Sequence, residues 1–361
     1  MTDYDVIVAG ASFAGLACAK AASELGARVG LIERKADLRK GLHTTGILVE
    51  EAAELLDPPA HLIKRINAVR LFSPSLRSIE IRTDHYFFLS TDTPNLLQHY
   101  AEDVERAGVA IHLDTPFVSG REVLDRRLSI NDGAFSARFL VGADGARSRV
   151  AQAFALGSNT HFLVGTEAEI DDAGFESTDA FYCFLDATHA QGYIGWAIPG
   201  VGLTQVGLAT NGVAKPDLRP FIAHIAPVLD LRASKVLANR GGLIPVGGLV
   251  RPFARGNVIL VGDAAGTVSP LTAGGIHTAI YYGRRLGTLI AEHLRRDGPH
   301  PSEQLKREYP RFHVKQMLRA LYERTPNWAF NAMLAAPGFE RFARRVLFLK
   351  RRLPSGGAHR D

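Results

Sequence analysis

Short apolar runs and alanine-rich helical stretches alternate at the start of the chain. DYDVIVAG is apolar, β-branched and closed by Gly10, the pattern of a strand buried in a parallel sheet. FAGLACAKAASELG follows with helical character and ends at Gly26, which fits a C-cap. ARVGLIER is a second strand, so strand, tight turn, helix and strand form a βαβ unit within about 30 residues. The pattern then changes. NAVRLFSP and RSIEIRTDHYFFLS alternate as antiparallel strands do, and TPNLLQHYAEDVERAGVAIHL returns to helix and strand. REVLDRRLSINDGAFSARFLVGADG predicts a hairpin about Asp132-Gly133, then a strand entering a glycine turn. HFLVGTEAEI, DAFYCFLD, GYIGWAIP and LTQVGLAT read as further strands. NVILVGDA is a strand feeding a long helix from about Gly275, and the chain beyond about 301 is helical and basic. No internal repeat is present. The pattern predicts an α/β nucleotide domain assembled from separated pieces, with antiparallel segments inserted between them.

VIVAGASFAG is the first segment that carries chemistry. In a dinucleotide loop the first glycine makes the tight turn, the second admits the pyrophosphate and the third allows close helix–strand packing. Gly10 and Gly15 fill the first and third roles. Ser12 stands in the second, and its hydroxyl can itself donate to a phosphate. Amides from Phe13 through Ala14 to Gly15 open the helix toward an anion. Glu33 follows Gly15 by eighteen residues, where an acid accepts from an adenosine ribose. This loop alone does not separate NAD from FAD.

Two more glycine turns do. FLVGADGARSRV sets Asp144-Gly145 at a strand end, and GNVILVGDAAGTVSPLTAGGIHTAI sets Gly262-Asp263 at another. An aspartate leaving a strand beside glycine reaches a ribityl hydroxyl. Amides after Gly274 and Gly275, opening a helix, stabilise negative charge on a reduced flavin ring. The three segments in this order resemble the FAD-binding motifs of the flavoprotein superfamily that includes p-hydroxybenzoate hydroxylase.

Within that superfamily, GYIGWAIPGVGLTQVGLA is similar to the substrate-domain strand of the geranylgeranyl reductase family, with Tyr193, Trp196 and Pro199 in register. SPLTAGGIHTAIYYGRRLG is similar to that family's segment from its proline through the flavin-facing helix. The resemblance runs to about residue 295 and more loosely into the tail. It implies a Rossmann-like FAD-binding domain (parallel sheet with helices) from residues 1–70, 93–158 and 251–297. An antiparallel-sheet substrate domain would come from 71–92 and 159–250, and a helical basic C-terminal region from 298–361. By position, Gly10, Ser12, Gly15 and Glu33 would hold the ADP half, with Arg34 beside the adenosine and the backbone of Val118 on the adenine. Asp263 would hold the ribityl chain or pyrophosphate. Thr45, Gly46, Pro270 and Gly274 through Gly275 to Ile276 would face the isoalloxazine.

Two positions depart from the family. Thr93 stands where an arginine usually aims at the FAD phosphate, so the phosphate grip is weaker or supplied elsewhere. GLHTTGIL stands where archaeal members often show cysteine-glycine, with His43 or Thr44 in its place, which argues against cysteine-dependent chemistry.

The implied activity is hydride transfer from flavin N5 to an isoprenoid double bond, with NAD(P)H or ferredoxin as electron donor. The second reading is an FAD monooxygenase acting on an aromatic or polyketide-like substrate with NAD(P)H and O2. A flavin halogenase fits less well, since GWAIP matches its tryptophan motif only in part. A non-enzymatic flavin sensor is a third class. Reduction needs a proton donor, for which His43 and then His277 are the candidates. Tyr193 and Trp196, alternating with Ile194, together with Phe181, Cys183 and Phe184, would wall an apolar substrate tunnel, or equally a sheet core.

Composition adds limits. Hydrophobic residues make 46% and charged residues 22% of the 361, a globular balance. Cys18 and Cys183 lie too far apart for a disulfide framework or a zinc site, so no metal is expected and a reducing, cytoplasmic setting fits. No secretory signal and no transmembrane run is read. A net charge of +5 favours anionic partners, but the basic residues are not interleaved with aromatics, so no nucleic-acid binding is expected. GFERFARRVLFLKRRLP suits either peripheral contact with an anionic membrane or a docking helix with a solvated basic face. Oligomeric state is not legible.

Overall fold

The apolar run at the N-terminus becomes the centre of a sheet. The structure, a computed structural model, describes residues 2–171, 174–212, 215–296 and 298–348. Thr2–Ala9 lies between Phe135–Gly142 and Val29–Ile32, and the parallel order is completed by Val258–Leu260 and Ala110–His112. Val6, Ile7 and Val8 are wholly buried, as a strand covered on both faces requires. The predicted hairpin pairs Leu128–Ile130 with Phe135–Gly142, and Asn131, Asp132 and Gly133 all take positive φ in its turn.

A second, seven-stranded sheet runs in the order Val236–Pro245, Phe162–Ile170, Thr204–Asn211, Gly195–Pro199, Ala180–Phe184, Ala68–Phe72 and Ser78–Arg82. Its neighbours are antiparallel except Ala180–Phe184 with Ala68–Phe72. Ile47–Val49, Phe88–Thr91 and Ile63–Ile66 make a third, small sheet. Sheet membership therefore differs from the expected segments at two strands. Ala68–Phe72 enters the seven-stranded sheet whole, and Phe88–Thr91 pairs with Ile47–Val49. Val236–Pro245 gave no strand pattern because Gly241 and Gly242 interrupt its alternation, yet it pairs along most of Phe162–Ile170.

Two helices set the geometry of the first sheet's open end. Ile276–Arg296 packs along Phe13–Glu24, backbone on backbone. A Cβ at Gly283 would stand 2.3 Å from the Ala14 carbonyl oxygen, and one at Gly287 2.2 Å from that of Cys18. Matching 14 to 283 and 18 to 287 makes the helices parallel. The long helix consequently starts about 9 Å beyond the start of the short one, at 1.5 Å per residue.

The tail forms Pro301–Glu308, His313–Tyr322, Asn327–Ala335 and Phe339–Leu347. Phe330, Leu334 and Ala343 bury into the same cluster as Phe181, Trp196 and Ile198, with Phe339, Leu347 and Phe348 packed against it. Over its described part, then, the predicted basic helix docks on the protein and turns its arginines outward. Residues 349–361 of that segment lie outside the described residues. No helix among the described residues is long and apolar enough to cross a membrane.

Candidate active site

The first loop is built as its spacing requires. A Cβ on Gly15 would stand 1.8 Å from the Gly10 carbonyl oxygen, so only glycine lets the helix seat on the turn. Ser12 occupies the N-cap position, is exposed and makes no capping bond with its side chain, which leaves the hydroxyl for a ligand. The amides of Phe13, Ala14 and Gly15 open the helix beside it. Glu33 is buried; its Oε2 accepts from the Ala11 amide at 2.7 Å and its Oε1 from Lys35 at 3.0 Å. Each oxygen keeps a lone pair for a ribose hydroxyl, and the bond to Ala11 ties the acid to the phosphate loop. Arg34 is exposed with Nη2 3.4 Å from His43 Nε2. The Val118 amide is already taken, donating to Asn131 Oδ1 at 2.8 Å.

At the other end, Ser269 donates its amide to the Gly274 carbonyl at 3.2 Å and Ala273 its amide to Ser269 at 2.9 Å. The closed loop holds Pro270 buried and delivers Gly274, Gly275 and Ile276 at the start of the long helix. The Asp263 carboxylate lies beneath that start, its Oδ1 3.6 Å from where a Gly275 Cβ would be. Burial pushes its carboxyl up to about 6. No protein donor is aimed at it among the described residues, so a ligand hydroxyl would meet an unused acceptor. Gly262, before it, takes a positive φ of 64° at the strand end. Asp144 is different, since protein donors already meet its carboxylate. Its Oδ1 accepts from Ser148 Oγ at 2.6 Å, and its Oδ2 from the amides of Arg149 and Val150 at 2.6 and 3.1 Å. These bonds hold the carboxylate at the start of the short helix Arg149–Ala153.

The seven-stranded sheet supplies a third wall. Phe181, Trp196 and Ile198 share one face, on which Cys183 also packs. Burial pushes the Cys183 thiol up to about 12, so it is a packing residue. Phe184 lies on the opposite face, stacked on Phe72 at 4.7 Å, and strand alternation puts Pro199 on that side too. Both are corrections, caused by the two-residue period of the strands. Tyr193 and Ile194 precede the strand Gly195–Pro199 instead of alternating within it. Freed from the pleat, Tyr193 donates its hydroxyl to the Thr272 carbonyl at 2.7 Å, joining this wall to the Pro270–Gly275 loop.

Polar groups at this wall grip the Thr44–Thr45 loop. Trp196 donates to Glu167 Oε2 at 2.8 Å, and Glu167 is 4% exposed. Burial pushes its carboxyl above the ordinary range, against the lowering pull of Trp196, the nearby Thr45 hydroxyl and the Arg240 charge. Its Oε1 is buried without a hydrogen-bond partner among the described residues. Gln205 donates to the Thr45 carbonyl at 3.0 Å, and Arg240, paired with Glu169, donates to that of Thr44 at 3.2 Å. His43 is exposed, with Nδ1 2.7 Å from the Gly241 carbonyl. His277 is buried in the first turn of the long helix.

Comparison with known proteins identifies the family. Residues 247–309 match the FAD binding domain family. The chain is 30% identical over 329 residues to digeranylgeranylglycerophospholipid reductase 2 of Methanosphaera stadtmanae, covering 85% of this chain and 82% of that one. The chain belongs to this geranylgeranyl reductase family. It is an FAD-dependent oxidoreductase. Among solved structures, a geranylgeranyl bacteriochlorophyll reductase-like protein from Thermoplasma acidophilum superposes with a TM-score of 0.84 at 18% identity, covering 96% of each chain. A flavin-dependent brominase superposes at 0.72 with 15% identity, covering 96% of this chain and 93% of that one, so the fold itself serves several chemistries.

Membership in the reductase family also frames the Thr93 departure. Thr93 is wholly buried and bonds Thr91 at 2.9 Å, and a Cβ on Gly46 would meet its hydroxyl at 1.7 Å. An arginine side chain does not fit that space, so Thr93 here packs the Gly46 turn. Glu167, Gln205 and Arg240 escaped the sequence reading. The visible signal was three polar residues, Glu167, Glu169 and Gln205, each set among apolar neighbours of a buried strand.

Asp263 gives a signed test. Because burial raises its folded pKa, the native protein holds the proton more tightly than the unfolded chain, and stability falls as pH climbs from about 4 to about 6. Asp263→Asn should raise the melting temperature of the FAD-free protein near pH 7.5, worth about 1–2 kcal/mol after discounting for partial exposure. The gain should shrink as the pH falls and close only at about pH 3, below the unfolded pKa, where both states hold the proton. FAD should bind the variant about tenfold more weakly. A gain independent of pH would contradict the buried charge, and unchanged FAD affinity would contradict its place at the cofactor.

Proposed function

We propose that this enzyme saturates isoprenoid double bonds of a geranylgeranyl-type lipid, at a site walled by the Trp196 face and floored by the start of the long helix. The reading rests on one observation above all: a buried acid, Glu167, bonded to Trp196, with its carboxyl pushed by burial above the ordinary range. Reduced FAD, when bound, supplies the hydride, with NAD(P)H or ferredoxin as its source of electrons. Phe181, Trp196 and Ile198 hold the hydrocarbon chain and exclude water. Tyr193 fixes the wall to the Pro270–Gly275 loop. The amides of Gly274, Gly275 and Ile276 offer positive charge where the ring gains electrons. Glu167 gives its proton to the carbon opposite the one that takes the hydride, and Arg240 and Gln205 keep the Thr45 loop in place. In this reading the proton comes from Glu167 and not from His43 or His277. His43 has one ring nitrogen on Gly241 and the other facing Arg34, which suits a post for the loop.

The test is anaerobic. FAD-loaded enzyme is reduced with dithionite and given a digeranylgeranyl glycerophospholipid. The oxidised flavin spectrum should return, and the product should gain two hydrogens per bond. A flavin that stays reduced until air enters would contradict the proposal and favour a monooxygenase. Glu167→Gln should leave the bound flavin spectrum unchanged and slow reoxidation about 10²- to 10⁴-fold. Since Glu167 must be protonated to act, the wild-type rate should fall as pH rises through its raised pKa, and the Gln variant should lose that limb. Equal rates would remove Glu167 from the reaction.

A lipid substrate also needs a way off the bilayer. In this reading it is the helix His313–Tyr322, whose Val314, Met317, Leu318 and Leu321 form one stripe, each 39–67% exposed. Trp328, in the next helix, is exposed as well, and exposed Arg311, Lys315 and Arg324 suit an anionic surface. The wild type should sediment with phosphatidylglycerol vesicles, while Met317→Glu with Leu321→Glu should stay in solution and keep its activity on detergent-dispersed lipid. Equal sedimentation would end this assignment.

A further inference from the structure

Asp186, His189 and His224 come together away from the flavin side of the seven-stranded sheet. Asp186 lies two residues past the strand Ala180–Phe184, His189 in the following turn, and His224 on the helix Leu218–Ile225. His189 Nδ1 is 2.7 Å and His224 Nε2 3.4 Å from Asp186 Oδ2. The two rings stack at 4.9 Å with 25° between their planes, and His189 lies 6.4 Å from Phe221, in the cluster opposite Trp196.

We propose that these three side chains bind a divalent zinc ion that serves structure and not the redox reaction. One ligand atom from each lies within 4.8 Å of the others. A tetrahedral ion with bonds of about 2.0 Å places its ligands about 3.3 Å apart, so His224 already stands at the right separation and His189 needs to open by about 0.6 Å. His224 Nε2 is buried and finds no hydrogen-bond partner among the described residues, although Asp186 is beside it. An ion on Oδ2 would satisfy it. The carboxylate is already oriented from behind, since Asp186 Oδ1 accepts from the Thr188 amide at 2.8 Å and from Asn327 Nδ2 at 3.1 Å. Asp186 is 4% exposed at its side chain, and His189 and His224 are 19% and 29% exposed, so the cluster lies near the surface. Two imidazoles and one carboxylate suit zinc in preference to magnesium or calcium. To bind through Nδ1, His189 carries its ring hydrogen on Nε2.

The ion would also brace the cover of the substrate wall. Asn327 starts the helix that buries Phe330 and Leu334, and it also accepts from the Ala187 amide at 2.7 Å. The site was invisible to the cysteine count because its ligands are acid and imidazole, set 35 residues apart between His189 and His224.

The test uses the full, tag-free, FAD-loaded protein stripped with a chelator. Equilibrium dialysis against about 50 μM zinc should leave one ion per chain, and the melting temperature should rise with zinc but not with magnesium. His224→Ala and, separately, His189→Gln should each lower zinc affinity at least tenfold while the flavin spectrum stays that of the wild type. Wild-type protein that retains no zinc after dialysis would overturn the proposal. So would zinc binding that survives both substitutions, which would place the ion elsewhere.

Discussion

The architecture depends on the contact between two parallel helices that touch through backbone. Gly283 and Gly287 leave no side chain between Ile276–Arg296 and Phe13–Glu24, so the register of one helix on the other is fixed by carbonyl oxygens of Ala14 and Cys18. That register sets two clusters of free amides about 9 Å apart along one direction. One cluster follows Ser12 and the other follows Gly274. Asp263 and Glu33 then flank the same line, each with acceptor capacity left over. A long, two-ended dinucleotide is the ligand such a line can hold, and the family assignment agrees with it.

The chemistry sits where that line meets a foreign surface. The seven-stranded sheet turns the face that carries Phe181, Trp196 and Ile198 toward the start of the long helix, and Tyr193 bolts it there through Thr272. On this face burial disfavours the charged carboxylate and pushes the Glu167 carboxyl above its ordinary range. The same burial that raises its pKa excludes water from the reacting bond. In the proposed reaction one physical cause therefore serves both proton delivery and protection of the reduced flavin.

Much of this was legible in the residues. Strand, glycine turn and helix at 6–15 are dictated by local sterics, and Gly15 against Gly10 is a contact between near neighbours in sequence. The Asp132-Gly133 hairpin and the long helix after Gly275 are local in the same sense. What the sequence concealed was set by pairing over distance. Val236–Pro245 becomes a strand only because Phe162–Ile170 lies beside it. Asp144 looks like Asp263 in its turn, yet Ser148, four residues on, captures it. Pro199 and Trp196 sit in one motif but on opposite faces of the pleat. Glu167 carried no motif at all; its meaning comes from Trp196, twenty-nine residues away.

The most direct measurement is the structure of the FAD-loaded protein, read at the flavin ring. The account predicts the N1–C2 carbonyl edge within about 3.2 Å of the Gly275 or Ile276 amide. It also predicts Glu167 and Trp196 on the side of the ring where N5 is open. A ring stacked away from the long helix, or one whose open face meets water instead of the Trp196 wall, would contradict it.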